Sequence, residues 1–223
     1  LVGSEMCIRD RDGSMVYPDE FIPVIEKNGY VLDVDDYMWD KVCYYIKQLE
    51  KEGKTPVPIS INVSRMHVYQ EDFIDRIKKI TSKYDINPKL IPLEITESAF
   101  TSEESSLYRK IKSLQDCGYR FSMDDFGSGY SSLGMLKDEH VDEVKIDKTF
   151  VDDIATDKGR ILLKNVIQMI RALGIDMIAE GVETKEQADF LVNNGCIYAQ
   201  GYYYYRPMPI EDFVLLLEKS GKE

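Results

Sequence analysis

The stretch that decides the fold is residues 143–180, EVKIDKTFVDDIATDKGRILLKNVIQMIRALGIDMIAE. It begins with a short apolar run, 143–146, and ends with a second, 175–180, and both are typical of β-strands. The apolar residues of the segment between them fall on one face at helical spacing: Leu162, Leu163, Val166, Ile167 and Ile170. A strand, a helix and a strand in this order predict parallel strands joined by a right-handed crossover.

The same alternation runs through most of the chain. The predicted strands are 57–63, 90–95, 121–124, 143–146, 175–180 and 197–200. The other predicted helices are 20–28, 36–52, 71–83, 103–117, 185–193 and 211–219. Pro58 and Pro92 must then lie near strand starts, because proline cannot donate to a strand ladder. Six strand-helix units in 223 residues, with no linker-like segment, favour one α/β domain built as a β/α barrel.

Composition excludes several classes of protein. Hydrophobic residues make up 43% and charged residues 30%, which is typical of a globular chain and not of a disordered one. The net charge of −12 argues against binding in a DNA groove. We find no run of about 18 apolar residues that would predict a membrane span. Four scattered cysteines without a C-x-x-C pair predict neither a zinc knuckle nor a disulfide framework, and they suit the cytoplasm.

Polar residues recur where the predicted strands end. They are Asn62, Glu94, Asp124, Asp125, Lys145, Glu180 and Gln200. In a β/α barrel these ends meet on one face, where active sites lie. A single acidic residue there is usually a helix cap or a turn residue, and Asp124–Gly127 alone fits that alternative. Polar residues at six strand ends favour a functional site instead. Clustered carboxylates suit Mg²⁺ or Mn²⁺, and a pair of such ions can support phosphodiester hydrolysis.

The motifs around these residues resemble a known family. They are 18–23 (PDEFIP), 60–64 (SINVS), 93–98 (LEITES), 124–133 (DDFGSGYSSL), 145–147 (KID), 179–184 (AEGVET) and 200–202 (QGY). From about Asp12 onwards the chain resembles an EAL domain, a phosphodiesterase that hydrolyses the bacterial messenger cyclic di-GMP to linear pGpG. The resemblance implies a TIM-like barrel with a reversed first strand, two divalent cations and in-line attack by a water that bridges them.

The resemblance also implies roles for individual residues. The positions that match metal ligands are Asn62, Glu94, Asp124, Asp125 and Glu180. The positions that match catalytic residues are Lys145, at the nucleophilic water, Glu180, a water-orienting carboxylate or general base, and Gln200, at the water and metal shell. Glu97 matches a residue that supports the loop after Asp125, while Asp147 and Glu183 match further supporting positions.

The beginning of the chain departs from the family pattern. Residues 1–11 contain no Glu-Ala-Leu, the motif whose glutamate binds metal and which an arginine normally follows. Glu5 and Arg9 keep the spacing of that glutamate and arginine about two residues late, so Arg9 is a candidate for binding a substrate phosphate. Met6–Asp10 can be encoded by a transposon end used in sequencing-library preparation. We therefore expect residues 1–11 to be a leader foreign to the family and 12–223 to be an EAL domain without its first strand.

Two functions follow for such a chain. The first is a cyclic di-GMP phosphodiesterase, active in the parent protein and impaired in these 223 residues. The alternative is an inactive EAL domain that binds cyclic di-GMP or a protein partner. The family resemblance also implies a homodimer formed through the loop after Asp125, and upstream sensory or GGDEF domains. We expect a cytoplasmic protein, or the cytoplasmic part of a membrane-bound parent.

Overall fold

The structure is a computed structural model, and it describes residues 2–3, 8–9, 12, 15–99, 104–128, 136 and 141–220. Most of the predicted leader 1–11 and the motif residues 129–133 lie outside the described residues. The strands are β1 (Val2–Gly3), β2 (Ile8–Arg9), β3 (Met15–Val16), β4 (Ile59–Asn62), β5 (Leu93–Thr96), β6 (Phe121–Phe126), β7 (Glu143–Ile146), β8 (Asp176–Ala179) and β9 (Tyr198–Ala199).

Helices lie between most of these strands. They are α1 (Pro18–Lys27), α2 (Val31–Lys51), α3 (Arg65–Tyr69), α4 (Phe73–Tyr84), α5 (Glu104–Gln115), α6 (Lys148–Asp152), α7 (Asp157–Ala172), α8 (Lys185–Asn194) and α9 (Ile210–Ser220). Short 3-10 turns cover Pro88–Leu90, Glu97–Ala99 and Asp153–Ala155. Each of the six predicted strands overlaps a strand of the structure, although β5 and β6 extend past the predicted ends at 95 and 124. Pro58 and Pro92 immediately precede β4 and β5, as predicted.

Seven strands form one curved parallel sheet in the order β1-β4-β5-β6-β7-β8-β9. This confirms the α/β barrel class, because every pair is parallel and the carboxyl ends share one face. β1 lies within the predicted leader 1–11 and runs parallel to β4, and the reversed first strand implied by the resemblance stays a prediction. The antiparallel pair is β2 with β3, which lies outside the main sheet. Five residues join these two strands, a length that suits a hairpin.

The sheet stays open between its two edge strands. Among the described strands, no ladder joins β9 to β1. A groove of about 630 Å³ lies beside β9, and it is lined by Val42 and Tyr45 of α2, Ile59 of β4, Ala199 of β9 and Phe213 of α9. The described part of the chain is therefore a barrel that is not fully closed.

Helix α7 shows how the helices cover the sheet. Leu163, Ile167 and Ile170 are fully buried and belong to the core that also contains the strand residues. The prediction was wrong for Leu162, which is 51% exposed. Successive residues of a helix are rotated by about 100°, so Leu162 lies at the edge of the buried face formed by Leu163, Ile167 and Ile170.

No helix among the described residues is both long and apolar enough to cross a membrane.

Candidate active site

Lys145 is the centre of the polar cluster at the carboxyl ends of the strands. It lies on β7 and is 5% exposed. Its Nζ atom is 3.1 Å from Oε2 of Glu94, 3.1 Å from Oδ1 of Asp124 and 2.8 Å from Oε1 of Glu180. The carboxylates come from β5, from β6 and from the residue after β8. The structure thus joins four of the predicted site residues through one buried ammonium group.

A bulge allows two consecutive aspartates to take part. In a regular strand Asp124 and Asp125 would point to opposite faces. The register between β6 and β7 shifts between Met123 and Phe126, and Asp125 has a left-handed φ of 56°. One carboxylate oxygen each from Asp124, Asp125 and Glu180 lies within 4.8 Å of the others. This spacing suits a divalent cation held by oxygen ligands.

Burial and like charges alter the acid–base behaviour of the cluster. Desolvation raises the pKa of Glu180 to about 7, although Lys145 opposes the shift. Desolvation, together with the charge of Asp124, also raises the pKa of Asp125. Burial alone would lower the pKa of Lys145, but the carboxylates of Glu94, Asp124 and Glu180 outweigh it and raise that pKa above its ordinary value. The lysine therefore stays charged, while Glu180 can gain or lose a proton near neutral pH.

Gln200 lies directly after β9 and contacts the same cluster. Its Nε2 donates to Oε1 of Glu180 at 2.5 Å, so this oxygen receives donors from both Gln200 and Lys145. Asn62 ends β4 and is exposed, and it is the register partner of Glu94 in β5. Asn62 therefore lies beside Glu94, as expected if both residues bind the same metal site. The role of Asn62 as a metal ligand stays a prediction.

The supporting positions differ in what they contact. Glu97 is buried, and its Oε2 accepts a hydrogen bond from the backbone N–H of Gly127 at 2.9 Å, at the start of the loop after Asp125. Asp147 caps α6 by accepting from Thr149 N at 2.9 Å. Its charge also contributes to the raised pKa of Asp125. These contacts suit supporting roles, which stay predictions.

Two further predicted residues have no described contact with the Lys145 cluster. Glu183 pairs with Lys148 at 2.5 Å on the surface, at the rim of the groove beside Gln200. Arg9 lies in β2 opposite Met15, and its side chain is outside the described part of the chain. Neither residue contacts the Lys145 cluster through a described interaction, and their predicted roles stay untested.

Sequence reasoning missed the α2 side chains behind Asn62. Nε1 of Trp39 donates to the backbone oxygen of Asn62 at 2.9 Å, and Asp35 accepts from Ser64 N at 3.1 Å. The sequence did contain a feature that could have drawn attention to them. Trp39 is the single tryptophan of the chain, and it lies four residues after Asp35 on a predicted helix. Nothing in the spacing, however, indicates which strand a helix side chain will reach.

The described part of the molecule is therefore a parallel α/β barrel with a carboxylate cluster at the carboxyl ends of its strands. The chain matches the EAL domain family over residues 4–207 and belongs to that family. It is 36% identical over 216 residues to the signaling protein YkoW of Bacillus subtilis (strain 168), an alignment that covers 96% of this chain and 27% of YkoW.

Other relatives and solved structures agree with this membership. The probable cyclic di-GMP phosphodiesterase PdeG of Escherichia coli (strain K12) is 32% identical over 211 residues, 94% of this chain and 42% of PdeG. The solved structure of the PaMucR phosphodiesterase in complex with c-di-GMP superposes with a TM-score of 0.89 at 28% identity, covering 95% of this chain and 86% of that one. The chain spans less than half the length of both curated relatives.

Proposed function

We propose that this domain is a metal-dependent phosphodiesterase that hydrolyses cyclic di-GMP to linear pGpG. The observation that carries the proposal is the convergence of Asp124, Asp125 and Glu180 beside the buried Lys145. Membership of the EAL family supports it, as do the names of relatives such as PdeG and the c-di-GMP complex of PaMucR.

The donor set fits divalent cations. One ammonium group faces four carboxylates, those of Glu94, Asp124, Asp125 and Glu180, so the site has an excess of negative charge. Oxygen donors of this type suit Mg²⁺ or Mn²⁺. We propose that these four residues and Asn62 hold two such ions. Bound there, the ions would lower the pKa of water and stabilise charge on the phosphate.

The side chains of the site supply positioning and proton transfer. Lys145 donates from Nζ and would orient the attacking water and the phosphate oxygens. The Glu180 carboxylate, held by Lys145 and Gln200, would orient the attacking water and accept its proton. Gln200 holds the Glu180 carboxylate in place through its 2.5 Å hydrogen bond. Proton uptake at Glu180 leaves a proton available for the departing ribose oxygen.

Residues 1–11 decide how active this chain is. They lack Glu-Ala-Leu and the arginine and tryptophan that follow it in the family. We therefore propose that the 223-residue chain turns over weakly, while a parent with a complete first strand is active. The absence of this motif also favours the second candidate, a domain that binds cyclic di-GMP or a protein partner without cleaving it.

The test is to incubate cyclic di-GMP and Mn²⁺ with two proteins and to follow pGpG by chromatography. One protein is the 223-residue chain, and the other carries an intact first strand with Glu-Ala-Leu in place of residues 1–11. Cleavage by the restored protein alone supports the proposal. Asp124→Asn in the restored protein is the matched control and should abolish turnover. Binding without cleavage by both proteins would favour the second candidate.

The wider context of the chain belongs to the same proposal. We propose that the domain works as a homodimer, with contacts through the loop after Asp125, of which residues 129–135 lie outside the described part. We also propose upstream sensory or GGDEF domains and a cytoplasmic location. The length of the curated relatives, more than twice the stretch matched here, supports further domains in the parent.

A further inference from the structure

Two side chains of α2 hold the backbone that follows β4. Nε1 of Trp39 donates to the carbonyl oxygen of Asn62 at 2.9 Å. The backbone N–H of Ser64 donates to Oδ2 of Asp35 at 3.1 Å. Trp39 and Asp35 are four residues apart and so share one face of the helix. The chain is thereby tied to α2 on both sides of Val63.

Among the described residues, no strand supplies a partner for the carbonyl of Asn62. The hydrogen bonds from β4 to β5 use the N–H groups of Ile61 and Val63, which donate to Pro92 O and Glu94 O. The backbone N–H and C=O of Asn62 point to the opposite edge of β4, since successive peptide groups alternate in direction along a strand. On that edge β1 pairs with Ile59 and Ser60. The described partner of the Asn62 carbonyl is therefore the side chain of Trp39.

His67 completes the cluster. Its ring is fully buried, and Nδ1 lies 3.0 Å from the same Oδ2 of Asp35 that binds Ser64. An ionised carboxylate only accepts hydrogen bonds, so Nδ1 carries the proton and donates it. The His67 ring also packs on Trp39, with ring centroids 4.5 Å apart. We call Asp35, Trp39 and His67 the α2 clamp.

We infer that the α2 clamp positions Asn62 as a ligand for the divalent cation. The inference rests on the proposed function, in which the side-chain oxygen of Asn62 binds metal. Asp35, Trp39 and His67 are positioning residues, since they act through the backbone of Asn62 and Ser64. A ligand oxygen must lie within about 0.2 Å of its ideal distance, so a small shift of this backbone weakens coordination. Mg²⁺ demands near-ideal octahedral geometry, whereas Ca²⁺ tolerates irregular sites.

This difference between the two ions provides the test. Trp39→Phe keeps an aromatic ring in the core and removes the N–H donor. Titration calorimetry of the 223-residue chain should show Mg²⁺ binding weakened about tenfold by this change, as expected for partners behind a metal ligand. Ca²⁺ binding should weaken less, by about threefold or below, because its coordination is more tolerant.

Two further sets of variants separate positioning from general loss of stability. Tyr119→Phe is the matched control, because it removes another buried hydrogen bond, the 2.6 Å contact between Tyr119 and Thr81. It should leave the affinity for both ions unchanged even where it lowers the melting temperature as much as Trp39→Phe does. Asp35→Ala should weaken Mg²⁺ binding, and Asp35→Asn should restore part of it, since an amide oxygen can still accept from Ser64.

The outcomes distinguish this inference from the proposed function. No Mg²⁺ binding by the unaltered chain would overturn the proposed metal site and the inference with it. Mg²⁺ binding that Trp39→Phe leaves unchanged would overturn the inference alone. An equal loss for Mg²⁺ and Ca²⁺, or the same loss in Tyr119→Phe, would also overturn it, because general destabilisation does not distinguish between the ions.

Discussion

Replacing Lys145 by methionine should destabilise the fold in a manner that depends on pH. The methionine keeps most of the apolar volume and removes the ammonium from its three carboxylate partners. Each contact is near 3 Å. At an effective dielectric of about 20 this corresponds to about 5 kcal/mol of attraction per contact. Desolvation of the buried ions offsets most of that sum. We therefore expect a net loss of about 3–5 kcal/mol at about pH 8, the range found when one partner of a buried ion pair is removed.

The pH dependence follows from the pKa of Glu180. Its folded value of about 7 lies above the ordinary value of 4.5. The stability due to this group is therefore fully present below about pH 4.5 and is lost as the pH rises through 7. Lys145 opposes this rise in pKa, so its removal raises the pKa of Glu180 further. Above about pH 7, where Glu180 of the unaltered chain has lost its proton, the variant should continue to lose stability, by up to about 1.4 kcal/mol per pH unit for one proton.

Urea unfolding, followed by the fluorescence of the buried Trp39, measures both effects. The free energy of unfolding should be compared at about pH 5.5 and about pH 8 for the chain and for Lys145→Met. Lys148→Met is the control, since its ion pair with Glu183 is half-exposed and should contribute less than about 1 kcal/mol. Equal destabilisation by Lys145→Met at both pH values would refute the reasoning, because it would mean that the carboxylates do not respond to the lysine.

Three further outcomes are expected. The affinity for Mn²⁺, measured by calorimetry, should fall by up to about tenfold per pH unit below about pH 7, because the ion must displace the proton of Glu180. An affinity that does not change with pH would contradict this. Gly127→Ala should lower the free energy of unfolding by about 1–3 kcal/mol, since φ is +97° and a Cβ would lie 1.9 Å from the Phe150 ring. Gly174→Ala, with a φ of +73° and open space, should cost less in the same unfolding measurement. Glu97→Ala should slow turnover of the restored enzyme about tenfold, because it removes the acceptor for the Gly127 N–H, and unchanged rates of pGpG formation would count against that role.

Much of the fold could be predicted from local patterns. The strands that carry the site were found because apolar runs of β-type alternate with helical periodicity along 57–200. Pro58 and Pro92 also set the beginnings of β4 and β5, since proline cannot join a ladder. The exposure of Leu162 was not predicted, because periodicity gives the direction of a helix face and not the width of the surface it meets. The direction of β1 depends on which edge the chain reaches, and no local pattern encodes that.

The site was predictable in its composition and less so in its geometry. Lys145 and Glu180 end strands that are recognisable in the sequence, so their common face follows from parallel topology. Three features come only from tertiary contacts: the bulge that turns Asp125 towards the site, the shared use of Glu180 Oε1 by Lys145 and Gln200, and the hold of Trp39 on Asn62.

The sequence by itself determined the order of strands and helices, the family and the polar residues at the strand ends. These properties depend on residue type and on spacing along the chain, which are local. Only the tertiary structure decided which oxygen meets Lys145 and how far Asp125 turns inward. Glu94 and Lys145 are 51 residues apart (145 − 94), and their 3.1 Å contact depends on the curvature and register of the whole sheet. Such contacts arise from the packing of distant strands, which no short stretch of sequence specifies.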